Sequence, residues 1–125
     1  MNRRVLAAVD DMFFVSKIRG TAEQLNITVY FVKSADAAFD TAKADVPSLI
    51  ILDLHSQRTD SFTLVARLKD DEQLRHVPVV AFYSHVQTEL QHRAREAGVD
   101  HVMPRSAFTK RLPEILQGVF KFPER

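Results

Sequence analysis

The sequence predicts an α/β fold: one doubly wound parallel sheet of five strands in the order 2-1-3-4-5, with helices on both faces. Three observations support this fold. Short apolar runs at residues 5–9 and 49–52 lack the polar alternation of a half-exposed strand, which is typical of strands buried on both faces. Stretches with helical spacing of apolar residues separate such runs. The length of 125 residues is typical of a single domain over residues 1–125.

The first half of the chain contains three predicted strands and two predicted helices. Residues 5–9 form the first strand, and apolar residues recur at helical spacing over residues 12–25. Residues 27–32 are mainly β-branched and aromatic, which favours a second strand. Ser34 is a candidate N-cap of the second helix because its hydroxyl can accept a helical N–H. Residues 49–53 form the third strand, in which four apolar residues end on a carboxylate.

The second half continues the alternation. Asp60 or Ser61 can cap a third helix, and residues 78–83 form a fourth strand whose proline stands at its first position. Ser84 or Thr88 can cap a fourth helix.

The C-terminal part is predicted to hold a short fifth strand at residues 99–103, after Gly98 has ended the fourth helix. We expect Pro104 and Ser106 to shape a loop, followed by one final helix with Pro113 near its first turn.

Three carboxylates are predicted to meet at one edge of this sheet. Asp10 and Asp11 follow the first strand, and Asp53 ends the third. In the predicted strand order these strands are neighbours at the switch point, where open α/β sheets place their ligands. The alternative is that these are strand-end carboxylates that face water.

Converging carboxylates indicate a divalent cation, since like charges repel unless a cation lies between them. Oxygen ligands with open water positions suit Mg²⁺. A carboxylate beside Mg²⁺ can accept a phosphoryl group, and this chemistry also needs a hydroxyl and a cationic side chain. Tyr83 or Ser84, and Arg105, are the candidates at the ends of the fourth and fifth strands.

These residues resemble the receiver domain of two-component response regulators over nearly the whole chain. The resemblance rests on Val9-Asp10-Asp11 after the first strand and on Asp53 after the third. It also rests on the fourth strand, which begins with Pro78, and on the spacing from Gly98 to Arg105. Asp60, seven residues beyond Asp53, also stands where many receivers carry an aspartate. The resemblance implies a flavodoxin-like (βα)5 fold and a signalling protein rather than an enzyme.

The resemblance also implies roles for individual residues. Asp53 would be the phosphoacceptor, and Asp10 and Asp11 the acidic pair, with Asp11 the direct Mg²⁺ ligand. The backbone carbonyl of His55 would be a further ligand. The implied partners are a histidine kinase or other phosphodonor and a downstream protein that binds the surface of helix four, strand five and helix five.

The chain departs from the receiver pattern at several positions. Tyr83 stands where receivers have Thr or Ser, and Ser84 offers a small hydroxyl one residue later. Arg105-Ser106 replaces Lys-Pro, so we expect a trans peptide there and an arginine that can pair with Asp53 or lie away from it. The other departures are Val102 in place of an aromatic residue, and Gln57 and Ser61 where Pro and Gly are common.

Composition excludes other classes of protein. There is no cysteine, and the formal net charge of +1 gives no field that favours nucleic acid. No apolar stretch approaches the roughly 20 residues of a membrane span, and the N-terminal apolar run is too short for a signal peptide. We therefore expect a cytoplasmic protein that binds neither nucleic acid nor membrane.

Three functions follow as hypotheses. The first is a receiver phosphorylated on Asp53 that signals through its helix four, strand five and helix five surface. The second is a degenerate receiver that binds a partner, or a second copy of itself, without phosphorylation. The third, a flavin-binding flavodoxin-like protein, is disfavoured because the chain has only three glycines and no glycine-rich phosphate loop.

Overall fold

The computed structural model describes residues 3–56, 60–84 and 88–119 and contains one parallel sheet in the order β2-β1-β3-β4-β5. The strands are β1 (Arg4–Ala8), β2 (Thr28–Phe31), β3 (Leu49–Asp53), β4 (Val79–Tyr83) and β5 (His101–Pro104). The helices are α1 (Met12–Gln24), α2 (Ala35–Ala44), α3 (Ser61–Asp70), α4 (Thr88–Ala97), α5 (Arg105–Lys110) and α6 (Leu112–Leu116). The predicted flavodoxin-like fold and its strand order are confirmed.

The core lies on both faces of the sheet because β3 and β4 are apolar except at their last residues, Asp53 and Tyr83. All five residues of β3 and of β4 are buried. Alternate residues of each strand face opposite sides. Thus Ile50 and Leu52 pack on the side of α2 and α3, whereas Leu49 and Ile51 pack on the side of α1 and α6. This double burial fixes the carboxyl ends of β1 and β3 side by side, with Ala8 opposite Leu52.

Among the described residues, side-chain caps begin three of the helices. The predicted caps are confirmed at Ser34, whose Oγ accepts the Ala37 N–H at 3.0 Å, and at Asp60, whose Oδ1 accepts the Thr63 N–H at 3.2 Å. Asp11 caps α1, which the sequence did not lead us to expect. The predicted alternative cap of α4 by Thr88 involves a side chain outside the described part of the chain.

The region after β5 differs from the prediction. The strand continues to Pro104, and α5 begins at once with Arg105, so the predicted loop around Ser106 is wrong. The predicted single final helix is divided at Arg111. Pro113 explains the division, because it has no N–H to continue the helical hydrogen bonds and its ring favours the first turn of a new helix. As predicted, Arg105 and Ser106 are joined by a trans peptide bond.

Among the described helices, none combines the length and the apolar character that crossing a membrane requires.

Candidate functional site

Asp53 is a buried carboxylate at the carboxyl end of β3. Only 7% of the residue is exposed, and its Oδ1 accepts the backbone N–H of His55 at 2.9 Å. Its backbone carbonyl accepts two more hydrogen bonds, from the N–H of Ser56 at 3.1 Å and from Oγ of Ser61 at 3.2 Å. These contacts hold the main chain in place. Within the described residues, Oδ2 accepts no hydrogen bond.

The surroundings of Asp53 oppose its negative charge. Burial is the main cause that raises the pKa of this carboxyl above its usual range, and the charges of Asp10 and Asp11 raise it further. The hydrogen bond from the His55 N–H and the charge of His55 act in the opposite direction and lower the pKa, but they do not cancel the effect of burial. The two other carboxylates therefore lie near enough for their charges to reach Asp53.

Asp10 and Asp11 differ in exposure and in hydrogen bonding. Asp10 is half-buried, and its Oδ2 accepts the hydroxyl of Ser56 at 3.1 Å. Asp11 is exposed, and its Oδ1 accepts the N–H groups of Phe13 at 2.9 Å and Phe14 at 3.4 Å as the N-cap of α1. Each carboxylate thus keeps one oxygen without a hydrogen-bond donor among the described residues.

The donor chemistry fits a hard divalent cation. Carboxylate oxygens are the ligands that Mg²⁺ prefers, and one or two of them with water suffice. In the part of the chain that the structure describes, no salt bridge joins Asp53 to a cationic side chain, and the charges of Asp10 and Asp11 oppose its own. The described residues contain no group of three or more His, Cys, Asp or Glu side chains placed to hold a metal ion by themselves. One or two carboxylates are the protein ligands that an ion with several bound waters needs.

Arg105 and Ser84 lie together at the ends of β5 and β4. Nη1 of Arg105 donates to Oγ of Ser84 at 3.3 Å, and its Cζ lies 4.6 Å from the ring centroid of Phe14. Arg105 is half-buried as the first residue of α5. Among the described residues, Arg105 forms neither a salt bridge nor a hydrogen bond with Asp53.

An aromatic cluster under Arg105 escaped the sequence-based prediction. The ring of Phe82 stacks on Phe108 with centroids 4.5 Å apart and contacts Phe14 at 4.9 Å. Phe14 in turn lies 6.2 Å from Phe108. α1, β4 and α5 thus each supply one ring of this cluster, and the guanidinium of Arg105 lies over the ring from α1. The available signal was the pair Phe13-Phe14, which begins two residues after the acidic pair.

Tyr83 is packed in the core rather than at the rim of the site. Only 3% of the residue is exposed, and it belongs to the apolar cluster that includes Leu64 of α3 and Ala94 of α4. Its hydroxyl makes no hydrogen bond among the described residues. Val102 is half-buried against the same cluster. Of the other departures from the receiver pattern, Ser61 is buried and its hydroxyl donates a hydrogen bond to the backbone carbonyl of Asp53, whereas Gln57 lies outside the described residues.

Comparison with known proteins assigns the family. The model of the response regulator receiver domain matches residues 5–117. The polar-differentiation response regulator DivK of Brucella ovis is 25% identical over 117 residues, which cover 94% of this chain and 95% of DivK.

Solved structures show the same fold. A response regulator from Hahella chejuensis has a TM-score of 0.85 at 21% identity and covers 99% of each chain. The Mn²⁺-bound form of response regulator Rcp1 has a TM-score of 0.76 at 19% identity, over 96% of this chain and 93% of that one.

Proposed function

Since the chain belongs to the receiver domain family of two-component response regulators, we propose that it accepts a phosphoryl group on Asp53 and signals through its surface. The observation that carries this proposal is the carboxylate of Asp53, buried at a strand end beside the charges of Asp10 and Asp11. A carboxylate kept there at a cost in stability needs a functional reason, and phosphoryl transfer gives one.

The proposed donor is a phosphohistidine of a histidine kinase, or another activated phosphate. A carboxylate oxygen of Asp53 forms a bond to phosphorus, the bond from phosphorus to the donor nitrogen breaks, and its electron pair stays on the imidazole. The product is an acyl phosphate on Asp53. Oδ2 is the proposed nucleophile, because Oδ1 already accepts the His55 N–H and Oδ2 has no donor among the described residues. Later attack by water releases inorganic phosphate and restores the carboxylate.

We assign the ion site to the carboxylates of Asp10, Asp11 and Asp53 and the backbone carbonyl of His55. A bound Mg²⁺ would offset the charge that gathers on the phosphoryl oxygens. The Mn²⁺-bound form of Rcp1, a protein with the same fold, supports a divalent ion in this family. Asp10 and Asp11 hold their positions through the hydroxyl of Ser56 and the first N–H groups of α1.

Ser84 and Arg105 are the proposed contacts of the phosphoryl group. Ser84 Oγ accepts from Arg105, so its own proton remains available for a phosphoryl oxygen. The guanidinium of Arg105 keeps further N–H donors, and guanidinium groups match the geometry of phosphate oxygens. The stack on Phe14 orients it without neutralising it.

The proposed output surface is formed by α4, β5 and α5, which a downstream protein would bind. Helix α4 is strongly polar and carries exposed charged side chains, including the pair His92 and Glu96 at 3.1 Å. Arg93 of this helix lies over the ring of Phe62 in α3, with 4.2 Å between Cζ and the ring centroid. A helix that buries little apolar surface moves at low cost, which suits a surface that changes with phosphorylation.

A second function is favoured by Tyr83. Because its ring is fixed in the core, it cannot make the small inward movement of the threonine that receivers usually have there. Arg105 is also already bound by Ser84 and Phe14. The alternative is therefore a receiver fold that binds its partner, or a second copy of itself, without phosphorylation.

The test is exposure of the purified protein to acetyl phosphate, and separately to beryllofluoride, in the presence of Mg²⁺. We expect a phosphoryl adduct by intact mass and chemical-shift changes in α4, β5 and α5 for the wild type. The variant Asp53→Asn should show neither, whereas the exposed Asp36→Asn should behave like the wild type. If the wild type acquires no mass and its spectrum does not change, phosphorylation on Asp53 is excluded and the interaction module stands.

A further inference from the structure

Resting on the proposed function, we propose that Ser56 is a positioning residue of the ion site, which fixes the Asp10 carboxylate and the His55 carbonyl relative to Asp53. Ser56 is three residues beyond Asp53 and was not a candidate in the sequence. Two of its groups make hydrogen bonds to different strand ends, and this double attachment carries the proposal.

The first attachment is through the main chain. The backbone N–H of Ser56 donates to the carbonyl of Asp53 at 3.1 Å, and the N–H of His55 donates to Oδ1 of Asp53 at 2.9 Å. The chain therefore turns back over the end of β3 immediately after the proposed phosphoacceptor. The N–H of Ser56 and the carbonyl of His55 belong to one trans peptide, so fixing the direction of the N–H also fixes that of the carbonyl.

The second attachment is through the side chain. Oγ of Ser56 donates to Oδ2 of Asp10 at 3.1 Å, across 46 residues of sequence. Asp10 follows β1, the neighbour of β3 in the sheet, so one serine joins the two strand ends that supply the acidic residues. Both residues of this hydrogen bond are half-buried, which limits competition from water.

The hydrogen bond determines which oxygen of Asp10 is available. With Oδ2 engaged by the hydroxyl, Oδ1 is the oxygen without a donor among residues 3–56, 60–84 and 88–119. A carboxylate whose rotation is limited in this way presents a defined oxygen to an ion or to its water. Outer-shell hydrogen bonds of this kind are worth about 10- to 100-fold in metal affinity.

The test is Mg²⁺ binding by calorimetry, with Mn²⁺ binding followed by electron paramagnetic resonance. We expect Ser56→Ala to weaken Mg²⁺ binding about tenfold. Ser56→Thr keeps the hydroxyl. If loss of the hydrogen bond to Asp10 is what weakens binding in Ser56→Ala, the Mg²⁺ affinity of Ser56→Thr should lie within about threefold of the wild-type value. The matched control is Thr63→Ala, which removes another hydroxyl-to-carboxylate bond, Oγ1 to Oδ2 of Asp60 at 2.8 Å, away from the acidic pair.

The outcomes separate this inference from the proposed function. Wild-type affinity in Ser56→Ala would overturn the positioning role and leave the phosphoacceptor proposal intact. Equal weakening in Ser56→Ala and Thr63→Ala would also overturn it, since a general loss of stability would then be the cause. Absence of any Mg²⁺ or Mn²⁺ binding by the wild type would overturn the ion site and this inference together. Weaker Mg²⁺ binding by Ser56→Ala, together with nearly wild-type binding by Ser56→Thr, supports the positioning role.

Discussion

Single carboxylates in this protein carry opposite energetic effects according to their surroundings. Asp53 is buried beside like charges, and its pKa is raised mainly by burial. Asp60 is exposed at the start of α3, and the hydroxyl and N–H of Thr63 lower its pKa. The first arrangement opposes the charge and the second stabilises it, so substitution at the two positions should change stability in opposite directions.

Replacing Asp53 by Asn should stabilise the metal-free protein at pH 7. The folded-state pKa of Asp53 is raised, so its ionised form is a burden on the folded state at every pH above the raised value. We expect a gain of about 1 kcal/mol in the free energy of unfolding, the usual size of a single-substitution effect. Urea denaturation without divalent ions measures it.

The pH dependence gives this prediction its sign. The stability advantage of Asp53→Asn should shrink as pH falls through the raised pKa of Asp53, and vanish below the ordinary range of an aspartate, where the wild type is protonated in both states. An advantage that stays constant from pH 7 to pH 3 would contradict the burial argument.

Replacing Arg105 by Ala should slow phosphorylation of Asp53 while the fold is retained. Arg105 is the cationic group proposed to stabilise the phosphoryl group, and loss of one such donor costs about a hundredfold in rate. Rates with acetyl phosphate and Mg²⁺ measure the effect. The exposed Arg75→Ala serves as control, and equal rates for the wild type and Arg105→Ala would remove Arg105 from the site.

At the scale of elements, helix starts determine where functional groups lie. Helix α3 begins with Asp60 as its cap, and the next residue, Ser61, bonds the carbonyl of Asp53. Helix α5 begins with Arg105, so the direction of the helix places the arginine beside Ser84. Helix α1 begins with the cap Asp11, which places this carboxylate at the end of β1.

Replacing Asp60 by Ala should destabilise the protein by about 1 kcal/mol at pH 7, the usual cost of losing an N-cap. The lowered pKa gives the pH dependence: the stabilising effect is complete above the ordinary range of an aspartate and is lost as pH falls through the lowered folded-state value. Thermal denaturation of the wild type and Asp60→Ala between pH 7 and pH 2 checks this. Asp60→Asn is the control that retains a capping oxygen.

At the scale of the whole molecule, a divalent ion should act as a stabiliser. An ion that binds only the folded state adds about 2.7 kcal/mol when its concentration is a hundred times its dissociation constant. We expect the melting temperature of the wild type to rise with Mg²⁺, and to rise much less for Asp53→Asn. Equal increases in both proteins, or the same increase with Na⁺ at matched ionic strength, would indicate general screening rather than a site.

Most of the architecture could be predicted because it depends on local patterns. The unbroken apolar residues of β3 and the carboxylate at its end determine both the burial of the strand and the position of Asp53. The positions of Arg105 and Phe14 could not be predicted, because they depend on contacts between elements distant in the chain. The break between α5 and α6 was missed, although Pro113 was visible, because the proline was placed near the first turn of one long helix and not at the start of a separate one.

The cap of α1 has a consequence for how the acidic site communicates with the rest of the protein. The carboxylate of Asp11 serves both partners: Oδ1 caps the first turn of the helix, and Oδ2, which has no donor among the described residues, is left for a cation. Thermodynamic reciprocity then requires that whatever loosens that turn alters cation affinity, and that the cation alters the turn by the same factor. Amide hydrogen exchange of Phe13 and Phe14, whose N–H groups donate to Asp11, should therefore change when a cation binds to this carboxylate.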